Sequence, residues 1–138
     1  MPGLSNYLET FVLKHLLSSA QTRPSSVWIS LHSATVTDDA NGAEISTVGT
    51  NYNRMTYANT SGNWSTLGAA SSAANSTAFN KLAVSFSSAT SSYTVNAVGL
   101  WDSSNTGNLL FLSSVATKVV EIGDVPTISS ADLRISFD

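Results

Sequence analysis

The sequence contains no cysteine, few charged residues and no long apolar run. Without cysteine there are no disulfides and no thiolate metal ligands, so we expect packing alone to hold the fold. The basic residues lie apart along the chain, which predicts little affinity for nucleic acid. No run approaches the roughly 18 apolar residues of a membrane span and no secretory leader pattern is visible, so we expect synthesis in the cytoplasm and no membrane partner.

Small neutral polar residues take the place that charged residues usually fill. The chain has 25 serines, 15 threonines and 11 asparagines, whereas charged residues make up 11% of its 138 residues. An average soluble protein is roughly a quarter charged. Serine, threonine and asparagine compete for backbone hydrogen bonds inside helices, so their abundance favours turns and β-strands. A weakly charged exterior also loses little hydration when a partner covers it, which favours a contact surface.

One segment has the spacing of a helix. Between residues 4 and 17 apolar side chains recur at intervals of three and four, on a broad face. Ser5 or Asn6 can cap its start, and Pro24 prevents its continuation. We expect this helix to cover its own sheet, while contact with a neighbouring subunit is the alternative that the spacing leaves open.

From residue 25 onward apolar residues recur at every second position, which is typical of strands. Residues 27, 29 and 31 are apolar and alternate with a second face, which predicts a half-buried strand. Further short strands are predicted at 52–58, 64–67, 82–87, 95–102, 108–117, 118–122 and 133–137. This pattern predicts a mainly β fold, an antiparallel jelly-roll-like β-sandwich with one N-terminal α-helix. We expect a single domain over 1–138, with a helical arm at 1–20 and the sandwich at 25–138.

Candidate catalytic groups are few. His15 and His32 carry no local nucleophile motif, so a Ser-His-Asp hydrolase is not predicted. Most acidic residues fall in predicted turns, where solvated carboxylates are expected rather than the paired acids of a glycosidase. We therefore expect neither enzyme activity nor a cofactor.

The polar stretch at residues 34–51 is longer than most connections in compact domains, which makes it a candidate contact loop. It contains Asp38 and Asp39, and Asp39, Asn41 and Gly42 match the third, fifth and sixth positions of a calcium loop. However, Thr37 stands where the first aspartate should be, and Val48 stands where the bidentate glutamate should be. We therefore predict no metal site and assign both aspartates to partner contact.

Several motifs, in their order along the chain, resemble one group of phage proteins. These are MPGLSNYLE at the start, NYNR at 51–54, NW at 63–64, VGLWD at 98–102, GNLLF at 107–111 and the ending at 123–138. Together they resemble small structural proteins of tailed bacteriophages, known as capsid decoration (cement) proteins or labelled tail-fibre-like. The resemblance spans nearly the whole chain.

The resemblance implies a non-enzymatic virion protein, made in the bacterial host, that binds the capsid surface and bridges subunits of the major capsid protein. It also implies a homodimer or homotrimer. The alternative is a tail or tail-fibre-associated protein for host recognition, with Trp64 and Tyr57 as exposed aromatic residues that bind a host glycan. Arg54 is expected as a surface arginine on a strand, paired with an acid or facing a partner. The predicted partner-contact residues are Leu4, Tyr7, Phe11, Asp38, Asp39, Arg54 and Trp64.

Overall fold

The computed structural model describes residues 3–34, 43–65 and 76–137. The elements, in chain order, are β1 (Gly3–Leu4), α1 (Asn6–Leu17), β2 (Ser26–His32), β3 (Met55–Ala58), β4 (Ser76–Phe79), β5 (Val84–Ser85), β6 (Tyr93–Trp101), β7 (Leu109–Val120), β8 (Thr127–Ile128) and β9 (Arg134–Phe137). All the strand pairs among these residues are antiparallel. The mainly β class with one helix is therefore confirmed, while the jelly-roll connectivity stays a prediction.

Ser5 sets the start of α1 and ties it to the sheet. Its side chain accepts a hydrogen bond from the Leu8 N–H at 3.2 Å, as an N-cap does. The same hydroxyl donates to the Leu109 carbonyl, and the Ser5 N–H donates to the Leu110 carbonyl at 3.0 Å. The first turn of α1 is therefore fixed to β7. In the described part of the chain, no helix is long and apolar enough to cross a membrane.

The main sheet has five strands in the order β1-β7-β6-β2-β3. Ile29 in β2 pairs with Leu100 in β6, and Ser30 pairs with Gly99. Side chains alternate between the two faces of a strand, so one face presents residues such as Ile29 and Leu100 to the main core. The other face carries Ser30 and a second, smaller cluster around Trp101.

Two short two-stranded sheets, β4 with β9 and β5 with β8, complete the fold. Val84 of β5 and the nearby Phe86 are buried in the main core with the inward residues of β2 and β6. Tyr52, which precedes β3, belongs to the same cluster and stacks on Phe86 with ring centroids 6.1 Å apart. The core therefore joins the main sheet to the β5–β8 ribbon and to the segment before β3.

The structure differs from the sequence prediction at several elements. The predicted strands 108–117 and 118–122 form one strand, β7, because residues on both sides of the predicted boundary, such as Ser114 and Lys118, pair with β6 across a register shift. β2 is buried on both faces rather than on one, because the polar groups of its second face bond to each other. Residue 64 contributes an isolated bridge to Asn80, and residues 66–67 lie outside the described residues.

Candidate functional site

Helix α1 contains no buried residue. Leu13, Leu16 and Leu17 are 57%, 71% and 80% exposed, and Tyr7 is also exposed. A helix of this length is marginally stable alone in water and normally depends on burial of its apolar side. Leu8 packs against the main core, so the first half of α1 is anchored. The second half carries apolar surface that the described residues leave uncovered.

A groove of about 920 Å³ runs between α1 and the body of the fold, and we call it the α1 groove. Its opposite wall comes from residues 21–24, 59–61 and 64–65, and its floor includes Leu100, Leu110 and Ile135. The helix residues that line it recur at intervals of three and four, and they are Tyr7, Leu8, Phe11, Val12, His15 and Leu16. Because each residue turns a helix by about 100°, Leu13 and Leu17 lie on the outer side of α1.

Trp64 forms part of the wall of the groove in a fixed orientation. Its Nε1–H donates to Asn59 Oδ1 at 3.1 Å, and the Asn59 amide donates to the Pro24 carbonyl at 2.8 Å. The indole meets the ring of Tyr57 edge to face, with centroids 5.0 Å apart. These contacts join the two segments of the wall, so this side of the α1 groove is preorganised.

Two polar side chains that line the α1 groove, His15 and Asp102, are already engaged within the chain. His15 Nδ1 accepts the Gln21 N–H at 3.0 Å. Asp102 accepts both the backbone N–H and the side-chain amide of Asn108, at 2.7 and 2.8 Å. A site built to bind a sugar needs polar groups aimed at the ligand, whereas this groove offers mostly apolar and aromatic side chains. Its chemistry therefore fits apolar side chains of a protein better than a glycan.

A second notable site is a polar cluster on the other face of the main sheet. Arg54 donates from Nε and Nη2 to the two carboxylate oxygens of Glu44, at 2.9 and 2.7 Å. Its Nη1 donates to the carbonyls of Ser103 and Thr106 at 3.0 and 2.9 Å. The guanidinium also lies over the Trp101 ring, 3.8 Å from the centroid. One side chain thus ties the segment before β3 to the turn between β6 and β7.

The charge state of this cluster follows from its contacts. Burial alone would raise the pKa of the Glu44 carboxyl, but the hydrogen bonds from Arg54 and Tyr52 and the charge of Arg54 outweigh it and lower the pKa below its ordinary value. Burial raises the pKa of the Tyr52 hydroxyl. Near neutral pH Glu44 is therefore ionised, and Tyr52 keeps the proton that it donates to Glu44 at 2.8 Å.

Ser30, His32 and Trp101 extend this polar cluster into the interior. Ser30 Oγ accepts the Trp101 Nε1–H at 2.7 Å and lies 2.7 Å from His32 Nε2. Ser30 and His32 are fully buried, and a Cβ added at Gly99 would lie 2.7 Å from Ser30 Oγ. The Ser30–His32 pair is therefore sealed from any substrate.

The predicted contact residues divide between the groove and the interior. Tyr7, Phe11 and Trp64 all line the α1 groove, so the structure brings three of them together. Leu4 is half-buried in β1, where it pairs with Phe111. Their contact with a partner stays a prediction.

Two expectations need correction, and two of the predicted contact residues lie outside the part of the chain that the structure describes. Arg54 is not a surface arginine: its side chain is 7% exposed because Glu44 and Trp101 enclose it, so it offers little surface to a partner. Tyr57 is buried and Trp64 is half-buried rather than exposed, since both rings pack against the main core. Asp38 and Asp39 lie outside the described residues. Among the residues that are described, no group of His, Asp and Glu could hold a metal ion.

The sequence prediction missed Leu13, Leu16 and Leu17 as a surface. Seven of the twelve residues of α1 are apolar, which is more than a one-sided stripe requires. That excess is the signal that could have identified them. Glu44 was missed because it lies inside the polar stretch at 34–51, where a buried carboxylate has no distinguishing pattern.

Comparison with known protein families gives one match that covers almost the whole chain. Residues 3–136 match the model of a family described as Podophage GP4 fiber I protein gp80. No curated protein matches the chain.

Proposed function

The chain belongs to the podophage GP4 fiber I protein (gp80) family, and on this premise we propose that it is a non-enzymatic subunit of a fibre on a tailed-phage virion. Family membership makes it a bacteriophage structural protein. The family match over residues 3–136 is the observation that carries the proposal. The proposed attachment surface is the exposed side of α1 together with the α1 groove.

Two features of the described residues support a structural role. The serine and histidine that lie within hydrogen-bond distance, Ser30 and His32, are fully buried, so they have no route to a substrate. The described residues leave Leu13, Leu16 and Leu17 of α1 uncovered, and such apolar patches mark interaction sites on proteins. Both features support a structural subunit that binds neighbouring subunits in an assembly.

A capsid decoration protein is the second candidate function. The sequence shows no heptads and no repeats of the kind that build an elongated fibre shaft. Its low charge also suits a subunit that adds many weak, symmetric contacts on a shell. In this candidate function the partner is the major capsid protein, and the location is the outer capsid surface.

Imaging of labelled virions distinguishes the two candidates. A phage that carries an epitope-tagged copy of this chain is imaged by immunogold electron microscopy, with an untagged phage as the control. We expect gold on fibres at the tail. Gold confined to the capsid shell would overturn the fibre assignment in favour of decoration, and virions without the tagged chain would overturn both.

A binding assay with purified particles checks the same choice independently. Expanded capsids without tails are mixed with the purified chain and sedimented, and complete virions of a strain that lacks the chain serve as the second arm. The fibre assignment predicts uptake by the tailed particles alone. Uptake by tailless capsids would contradict it.

A further inference from the structure

Helix α1 is apolar on more than one side. Its inner residues, such as Phe11, line the α1 groove, while Leu13 and Leu17 lie on the outer side. Exposed apolar side chains on two sides of a helix are normally covered by another protein surface. Covering the outer leucines alone would leave the groove open, and filling the groove alone would leave the leucines exposed. The occupant should therefore cover both sides of α1 at once.

The α1 groove has the size of a short helix. Eight residues of helix are about 12 Å long and about 10 Å across, which corresponds to a volume of about 940 Å³. The groove measures about 920 Å³. The last two turns of α1, residues 10–17, are themselves eight residues long and contain the three most exposed leucines of the helix.

We infer that the α1 groove receives the second half of α1 from a second copy of the same chain, in a reciprocal exchange about a two-fold axis. Four layers then follow one another: the body of the first copy, α1 of the second copy, α1 of the first copy and the body of the second copy. Each helix has the other helix on its inner side and the partner's groove walls on its outer side. The inference rests on the proposal that this face is a docking surface of a virion subunit.

The area required for a stable dimer favours this insertion over simple side-by-side contact. A 12-residue helix about 18 Å long presents roughly 300 Å² on one side, and a stable interface needs about 800 Å² from each partner. Side-by-side packing of two α1 helices therefore falls well short. Enclosing the second half of each helix, about 12 Å long, on all sides and covering the groove wall brings the area to roughly 700 Å² per copy, within the range of about 600 to 1,000 Å² per partner that stable interfaces bury.

The charges of α1 agree with a two-fold arrangement. Glu9 lies in the first turn, and Lys14 and His15 lie in the last turn. A two-fold axis across the helices makes them antiparallel, so the two helix dipoles point in opposite directions and favour the pairing weakly. The net charge of the whole chain is −3, which opposes the approach of two copies only weakly.

The oligomeric state of the purified full chain tests the inference. Sedimentation equilibrium over a range of concentrations should show a dimer that dissociates on dilution. The variant Leu13→Ser/Leu17→Ser should weaken the dimer by at least about 100-fold, with circular dichroism and thermal unfolding of the monomer unchanged. The matched control is Val48→Ser/Ile122→Ser, because these side chains are 84% and 71% exposed but lie away from α1. The control should remain dimeric.

Disulfide trapping tests the mode of packing, and the absence of native cysteine makes it specific. Leu17→Cys and Ser61→Cys proteins are mixed under oxidising conditions, since Ser61 lies on the groove wall that the partner's outer leucines should meet. We expect a mixed disulfide between the two variants. A mixture of Leu17→Cys and Ile122→Cys is the control and should give none, because residue 122 follows the far end of the long strand β7.

Each result has a defined meaning. A monomer at all concentrations overturns the exchange. So does a dimer that the leucine variant leaves intact, or a dimer that cross-links at residue 122 and not at residue 61. Loss of monomer stability in the leucine variant would mean that the chain itself covers α1, and this also overturns the inference. A monomer that still locates to virion fibres leaves the proposed function standing, so the two proposals fail separately.

Discussion

The polar cluster and helix α1 use their side chains in opposite ways. In the polar cluster, Arg54 uses three nitrogens in hydrogen bonds within the chain and lies on the ring of Trp101. In α1, seven of twelve residues are apolar and none is buried. The cluster thus places polar groups inside the fold, whereas the helix places apolar groups outside it.

The difference shows which parts of the molecule are complete within one chain. Within the described residues, every buried side-chain nitrogen and oxygen has a hydrogen-bond partner, so the polar cluster needs nothing from outside. The exposed leucines of α1 gain nothing from their present environment, and their burial requires another surface. Variants of the polar cluster should therefore change the free energy of unfolding, and variants of α1 should change association.

Arg54→Met should have the largest effect on stability. It leaves the half-buried Glu44 without its cation and the Ser103 and Thr106 carbonyls without their donor. Breaking such an ion pair from one side should lower the free energy of unfolding by about 3 kcal/mol, measured by urea denaturation. Lys118→Met, at an exposed position, is the matched control and should change it by less than about 0.5 kcal/mol.

A double variant shows whether this loss comes from the unpaired carboxylate. Arg54→Met/Glu44→Gln removes both charges, so it should recover part of the stability that Arg54→Met loses. If the double variant were as unstable as the sum of the two single variants, the ion pair would not be the cause. The stacking on Trp101 and the carbonyl contacts would then account for the loss.

Gly99→Ala should have the next largest effect. The added Cβ would lie 2.7 Å from Ser30 Oγ and 3.0 Å from His32 Nε2, so both buried side chains would have to move. Overpacking of this kind should lower the free energy of unfolding by about 2 kcal/mol. Gly62→Ala is the control, because its nearest atom is Thr60 Oγ1 at 3.7 Å. Equal thermal stability of the two variants would contradict the close packing around Ser30.

The dependence of the free energy of unfolding on pH should show the contribution of the ionised Glu44 carboxylate. Its pKa in the folded protein lies below the ordinary value of 4.5, so the ionised form stabilises the fold. This contribution is present above about pH 4.5 and is lost as the pH falls through the lower, folded pKa. The difference in urea midpoint between the protein and Glu44→Gln should therefore be largest at pH 7 and shrink below pH 4.5.

Sequence patterns predicted the positions of the strands β2 and β6 better than they predicted the burial of polar side chains or the extent of β7. Alternation marked β2 and β6 because one face of each strand meets a continuous apolar core. The burial of Ser30 and His32 was not predictable, since it depends on their bonding to each other and to a tryptophan 71 residues away from Ser30. β7 was divided because its exposed middle contains serine, threonine and lysine, whereas pairing with β6 holds it together.

The candidate site was predictable in part. The spacing of apolar residues identified α1 and three residues of the α1 groove, Tyr7, Phe11 and Trp64. Spacing alone does not say what a helix packs against, so we expected α1 to cover its own sheet, and its lack of buried residues was not foreseen. Arg54 was misplaced for a related reason, because its partner Glu44 lies on a separate segment that only the fold brings near.

The smallest expected effect on stability is that of Leu16→Ala in the second half of α1. The Leu16 side chain is 71% exposed and alanine favours a helix, so at concentrations low enough to keep the chain monomeric the free energy of unfolding should change by less than about 0.5 kcal/mol. Leu8→Ala, in the anchored half of the same helix, should lower it by about 2 kcal/mol, because Leu8 packs against the core. Chemical denaturation of the two variants therefore compares the two halves of α1 directly. A loss above about 1.5 kcal/mol for Leu16→Ala would mean that this half is core within one chain, and the contrast with the polar cluster would fail.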